Sequence, residues 1–100
     1  MIRHIVMFRY HDEVGGKGKT ENLNKSKELL EALPKKIKEI KFYEVGIGSA
    51  MTPASCDLCL ISSFESWDDL NIYREHSEHK KVVEFINSVQ SKVFSSDYEY

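Results

Sequence analysis

From Ile2 to Tyr10 apolar residues occupy both alternating sides of the chain, with His4, Val6 and Phe8 on one side and Ile5 and Met7 on the other. Successive strand side chains point to opposite faces, so this pattern predicts a strand covered on both. A polar loop through Gly15, Gly16 and Gly18 follows. Thr20 or Glu21 then opens a helix in which Leu23, Leu30 and Leu33 keep helical spacing until Pro34 stops it. Ile40 to Ile47 reads as a second strand. Gly48 to Ser55 carries turn residues, and Cys56 to Phe64 reads as a third strand, with Leu58 and Leu60 opposed to Cys59 and Ile61. Ser66 with Asp69 three positions on gives a capping-box pattern for a helix with Trp67, Leu70 and Tyr73 on its inner stripe, ending near Glu75 or His76. Ser77 is placed to cap a further helix, with His79, Val82, Val83, Ile86 and Val89 on its apolar face, and Val93 to Tyr100 returns as the last strand.

The order strand, helix, strand, strand, helix pair, strand is that of an α+β, ferredoxin-like split βαβ sheet with its helices on a single face. The other face then lacks a cover although its residues are apolar. A second copy of the chain is the simplest cover, because a large bare apolar sheet is rare on a soluble monomer and identical patches pair about a two-fold axis. A homodimer is therefore expected.

At 100 residues the chain is the size of one domain, so residues 1–100 are read as a single unit with no separate cofactor domain. Lys and Arg number 14 against 16 Asp and Glu, a formal net charge of −2, which offers no basic excess for nucleic acid. No run of 18 apolar residues is present, and Ile2-Arg3-His4-Ile5-Val6 lacks the pattern of a signal peptide; a cytoplasmic protein without a membrane partner is expected. Cys56 and Cys59 suggest a metal or redox Cys-x-x-Cys, but on a strand residues three apart point to opposite faces, and no second pair supplies further ligands. They read as free thiols.

Acid/base groups concentrate in Tyr73-Arg-Glu-His76-Ser-Glu-His79, with His4 on the first strand. An imidazole changes charge near neutral pH and a phenol donates a hydrogen bond without ionising, so together they are able to move a proton on a bound carbonyl or phenol. The strand and helix periods put His4, Tyr73 and His79 on core-facing stripes, where they either line a pocket or satisfy one another as a structural network. His76, at a helix end, reads as a cap or surface residue, and His11 as a solvated loop residue. Gly15-Gly16-Lys17-Gly18-Lys19-Thr20 has the ending of a phosphate loop, but Glu13 stands where the first glycine belongs and would repel phosphate. Gly46-Ile47-Gly48 reads as a bulge or turn, and the lysine runs at 35–38 and 80–81 as solvated surface.

Arg3-His4-Ile5-Val6-Met7-Phe8, Glu31-Ala32-Leu33-Pro34, Glu44-Val45-Gly46, the block from Asp68 to Val82 with Tyr73, His76 and His79, and the closing Asp97-Tyr98 together resemble the stress-responsive A/B barrel (Dabb) family. The resemblance covers nearly the whole chain and implies a dimeric α/β barrel. The family is mostly without assigned function, so it implies a homodimer with a small apolar pocket for a hydrophobic or aromatic small molecule. It is also similar to an olivetolic acid cyclase-like branch, which closes a linear polyketide by aldol condensation with no cofactor and no metal. By position, that likeness implies a catalytic base at His79, a partner for substrate oxygen at Tyr73 and a pocket-lining role for His4. Asp57 stands where the cyclase has a further pocket histidine, so the same substrate is not implied. Ser77 replaces a proline common in the family. A cofactor-free monooxygenase of related barrels is a third reading, carried by fold analogy alone.

Overall fold

A computed structural model describes residues 1–49 and 52–100; Ala50 and Met51, within the expected Gly48 to Ser55 turn, lie outside the described residues. The elements run β1 (Ile2–Tyr10), β2 (Glu13–Val14), β3 (Lys17–Gly18), α1 (Lys19–Glu31), a 3₁₀ turn (Leu33–Lys35), β4 (Phe42–Ile47), β5 (Leu58–Phe64), α2 (Trp67–Glu75), α3 (Ser77–Val89) and β6 (Gln90–Glu99). The main sheet has the order β4-β5-β1-β6 with every neighbouring pair antiparallel. Each half of the chain therefore crosses over one strand between its own two, which is the split arrangement expected from the element order.

The expected polar loop contains a small hairpin. Gly15 and Gly16 have φ of +60° and +79°, the pair of left-handed conformations a two-residue type I′ turn requires, and Glu13–Val14 pairs with Lys17–Gly18 around them. The backbone that would have formed a phosphate loop is used for this turn. Pro34 does not stop α1 directly: the helix ends at Glu31, and Pro34 sits at the start of the 3₁₀ turn, where its missing N–H costs nothing. Strand pairing begins at Phe42 and Leu58 rather than at Ile40 and Cys56. Cys59 thus lies on β5 and Cys56 in the preceding loop, both free and half-buried.

The helices cover the face that carries His4, Val6 and Phe8, all buried, and Leu23, Leu30, Leu70, Tyr73, Val82 and Ile86 close the core over it. Ser66 caps α2, its hydroxyl accepting from the Asp69 N–H at 3.1 Å. Trp67 departs from the expected inner stripe; as the first residue of α2 it is exposed, and its indole N–H donates to Glu99 Oε1 at 2.9 Å. Val83 is likewise exposed. The cap of α3 is His76, not Ser77: the His76 Nδ1 accepts from the Glu78 N–H at 3.1 Å, so the ring acts there as a neutral acceptor.

The opposite face of the sheet is bare. Phe42, Met7, Phe94 and Tyr98 are 40 to 49 % exposed on it, with Ile5, Ile61 and Cys59 between them. Both faces of the central strands are apolar, but within one chain only one of them has a cover.

Candidate functional site

Four side chains meet in one row across the covered face. Tyr43 on β4 is paired with Ser62 on β5, Ser62 with His4 on β1, and His4 with Asp97 on β6. Because Ser62 is small, the row has a gap at its middle, and the Tyr73 ring from α2 stands over it, fully buried. Its centroid lies 6.1 Å from the His4 ring, 6.2 Å from Tyr43, 5.0 Å from Phe64 and 4.2 Å from His79.

A cavity of about 210 Å³ opens beside this cluster, bounded at one end by His4, Tyr73, Arg74 and His79 and otherwise mainly by Val6, Phe8, Leu30, Leu60 and Ile86. It is smaller than the ~300–1,000 Å³ of drug-sized sites and matches a small ligand with one polar end. His4, Tyr73 and His79, which the sequence placed on core-facing stripes, thus line one space. Asp57 does not join them. Its carboxylate accepts the Tyr10 N–H at 2.8 Å and faces Lys19 Nζ at 3.5 Å, beyond Phe8 and roughly 14 Å along β1 from His4. Those partners satisfy it within the core, and Asp57, expected to line a pocket, is not among the residues that line this cavity. His11 is exposed in the loop after β1. A larger, open depression of about 550 Å³ by Met1, Trp67 and Tyr100 contains none of the histidines.

The hydrogen bonds set the proton positions. His4 Nδ1 meets Asp97 Oδ1, and Arg74 Nη2 donates to Asp97 Oδ2 at 2.6 Å. An ionised carboxylate only accepts, so His4 carries its proton on Nδ1 and, when neutral, has its lone pair on Nε2. His79 Nδ1 is 3.2 Å from the Arg74 carbonyl oxygen, which also only accepts, and so His79 has the same tautomer. Burial holds the His79 pKa below the usual imidazole value, partly offset by that carbonyl, so the ring is neutral at pH 7 and able to accept a proton. The Tyr73 and Tyr43 hydroxyls are 2.7 Å apart. Burial pushes the Tyr73 phenol up to about 12, the Tyr43 bond working against it, and pushes Tyr43 up further; both are neutral phenols.

Asp97, Arg74 and Tyr43 were not picked out from the sequence as site residues. Asp97 shares the parity of Val93 and Ser95 on β6, which puts it on the covered face, but only the register brings it to His4. Among the described residues no group of three or more His, Cys, Asp or Glu is arranged to hold a metal ion, and no helix is long and apolar enough to cross a membrane.

The family model of the stress responsive A/B barrel domain matches residues 2–100. The chain belongs to that family. A relative along the full length of both chains is the Streptomyces coelicolor protein SCO4036, itself uncharacterised, at 30 % identity. Among solved structures, a dimeric protein of unknown function and ferredoxin-like fold from Bacteroides fragilis is 34 % identical, with a TM-score of 0.86 over 99 % of this chain and 95 % of that one. A dimeric ferredoxin-like protein from Thermobifida fusca has the same TM-score at 22 % identity, over 99 % of this chain and 90 % of that one. This A/B barrel chain therefore has the ferredoxin-like α+β architecture of its relatives, and its cavity lies between the helix layer and the sheet.

Proposed function

We propose that residues 1–100 work as one domain of a homodimer in which each subunit binds a small hydrophobic or aromatic molecule bearing one polar group. The observation that carries this reading is the convergence of His4, Tyr73 and His79 on one cavity whose remaining walls are mostly apolar, with Arg74 and Asn87 the other polar residues on it. An apolar ligand body gains roughly 25 cal/mol for each Å² removed from water, and the polar end fixes its orientation. The bare apolar face of the sheet and the dimeric state of the Bacteroides fragilis and Thermobifida fusca proteins support pairing of two copies. Titration of the 15N-labelled protein with 4-ethylphenol and acetophenone is the test. Saturable shifts of the His4 and His79 ring signals are expected, and a protein in which neither ring responds to either compound does not use this cavity.

A second reading has its own observation. His79 is half-buried, neutral and held with Nε2 unprotonated, which is the state of a general base. In this reading His79 removes a proton next to a bound carbonyl, Tyr73 donates to the developing oxyanion, and His4 shapes the pocket, with no cofactor; this is the first half of an aldol or lyase reaction. Acetophenone in D2O reports it directly through loss of its methyl proton signal. His79→Ala is expected to slow protein-promoted exchange by about a hundredfold while binding persists. If the variant instead unfolds at lower denaturant and exchange was never promoted, His79 is a structural histidine; if stability, binding and exchange all stay unchanged, His79 has no part in a site.

A further inference from the structure

Tyr43 and Tyr73 are a phenol pair with an unbalanced set of protons. Two hydroxyl groups carry two protons, yet the pair forms one hydrogen bond, 2.7 Å long, and neither oxygen has another partner among the described residues. One proton is therefore without a protein acceptor. Tyr73 is fully buried and lines the cavity; Tyr43, on β4, is half-buried and is not among the residues that line it. Buried hydroxyl protons are almost always bonded, so the spare proton belongs where an acceptor from outside the protein is able to meet it.

We propose that Tyr43 donates to Tyr73 and so frees the Tyr73 proton for the cavity, making Tyr43 a positioning residue and selecting ligands that present a carbonyl oxygen there. The proposal rests on the cavity being a ligand site and adds to it the chemical class of the ligand's polar end. A chain of two donors strengthens the second, so Tyr73 is a better donor with Tyr43 behind it than alone. His79 holds its proton on Nδ1 against the Arg74 carbonyl, which leaves its Nε2 as an acceptor, and His4 likewise turns Nδ1 to Asp97. Tyr73 is thus the neutral donor at this end of the cavity, and Arg74 the charged one, already committed through Nη2 to Asp97.

Acetophenone and α-methylstyrene have the same shape and differ by a carbonyl oxygen in place of a methylene, which makes them the probes. The infrared stretch of 13C-labelled acetophenone is read in the unmodified protein, in Tyr43→Phe and in Tyr73→Phe, with the affinities of both compounds. The carbonyl is expected at lower frequency when bound than in an alkane solvent. That shift should shrink in Tyr43→Phe and vanish in Tyr73→Phe. Acetophenone affinity should fall about fivefold in Tyr73→Phe and about twofold in Tyr43→Phe, while α-methylstyrene changes in neither, since one net hydrogen bond is worth about a factor of five. An unshifted carbonyl on acetophenone bound to the unmodified protein overturns the proposal and leaves the cavity reading intact. A shifted carbonyl that ignores Tyr43→Phe overturns the role of Tyr43. If neither compound binds, the cavity reading falls and this proposal with it. Where a variant does not fold, the measurement on the unmodified protein still decides whether the carbonyl meets a donor at all.

Discussion

His79 couples the charge of the cavity to the stability of the fold. Its folded pKa lies below the reference 6.5 because burial disfavours the imidazolium. As pH falls through 6.5 the unfolded chain takes up a proton at this position and the folded chain does not, so the unfolded state is favoured until the lower folded value is reached. The stability this residue contributes is whole above about pH 6.5 and is lost below it. Urea midpoints at pH 7.5 and 5.5 should therefore drop on acidification, and His79→Gln, which cannot ionise, should drop less; an equal drop in both would place the effect elsewhere. Asp97 makes a second residue-level case. It is the acceptor for both His4 Nδ1 and Arg74 Nη2, with its side chain 21 % exposed. Asp97→Ala leaves a buried His4 donor unmatched and is expected to cost about 1.5–3 kcal/mol in urea unfolding, whereas Asp97→Asn keeps an acceptor oxygen and should cost less. Equal losses would mean that the charge, rather than the bond, is what matters.

The start of α2 shows how much an element depends on a single side chain. Ser66→Ala removes the acceptor for the Asp69 N–H and should cost about 1 kcal/mol without changing the cavity, a difference that thermal melting with and without acetophenone separates. A sharper backbone requirement falls at Gly48, where a Cβ would stand 2.6 Å from the Cys56 carbonyl oxygen while the Gly48 N–H bonds the Asp57 carbonyl at 2.9 Å. Gly48→Ala must displace backbone on one side or the other and is expected to destabilise more than Ser66→Ala. Much of this level was readable from periodicity, because β1 and the two later helices have patterns strong enough to mark their own faces. Ser66 announced its cap by spacing alone. The hairpin at Gly15 and Gly16 was missed since its strands are two residues each, too short to show a period. The site was legible only in part for a related reason. Periodicity places His4, Tyr73 and His79 on inward faces, but the row Tyr43, Ser62, His4, Asp97 exists only through three inter-strand registers, and no local pattern states a register. Asp57 meets the same limit: the resemblance implied a pocket position for it, and the register sets it beyond Phe8, where it bonds the Tyr10 N–H.

At the scale of the whole molecule the two faces of the sheet have different work. The covered face holds the cavity, and the bare face is the surface available for a second copy. Met7 and Phe94 are direct cross-strand neighbours there, 40 and 47 % exposed, with Ile5 beside them. Two such faces stacked about a two-fold axis would bury them against their own counterparts, in the roughly 10 Å spacing of packed sheets. A glutamate at either position would bring two carboxylates into that layer, one from each copy, and taking them out of water is costly even with the Lys92 ammonium beside position 94. Replacing Met7 or Phe94 by Glu should therefore abolish the dimer and leave the monomer folded, because neither side chain belongs to the core under the helices. Sedimentation velocity at matched concentrations reads the mass, and circular dichroism reads the fold. A dimeric parent protein and folded monomeric variants are the expected pair of results; variants that remain dimeric would move the interface to another surface, and a monomeric parent would leave the bare face without its proposed partner. The cavity opens on the other side of the sheet, so a folded monomer that still binds acetophenone would show that pairing and binding are separate properties of the chain. Loss of binding along with the dimer would instead place the coupling in β6, whose alternate residues Asp97 and Phe94 serve the two faces.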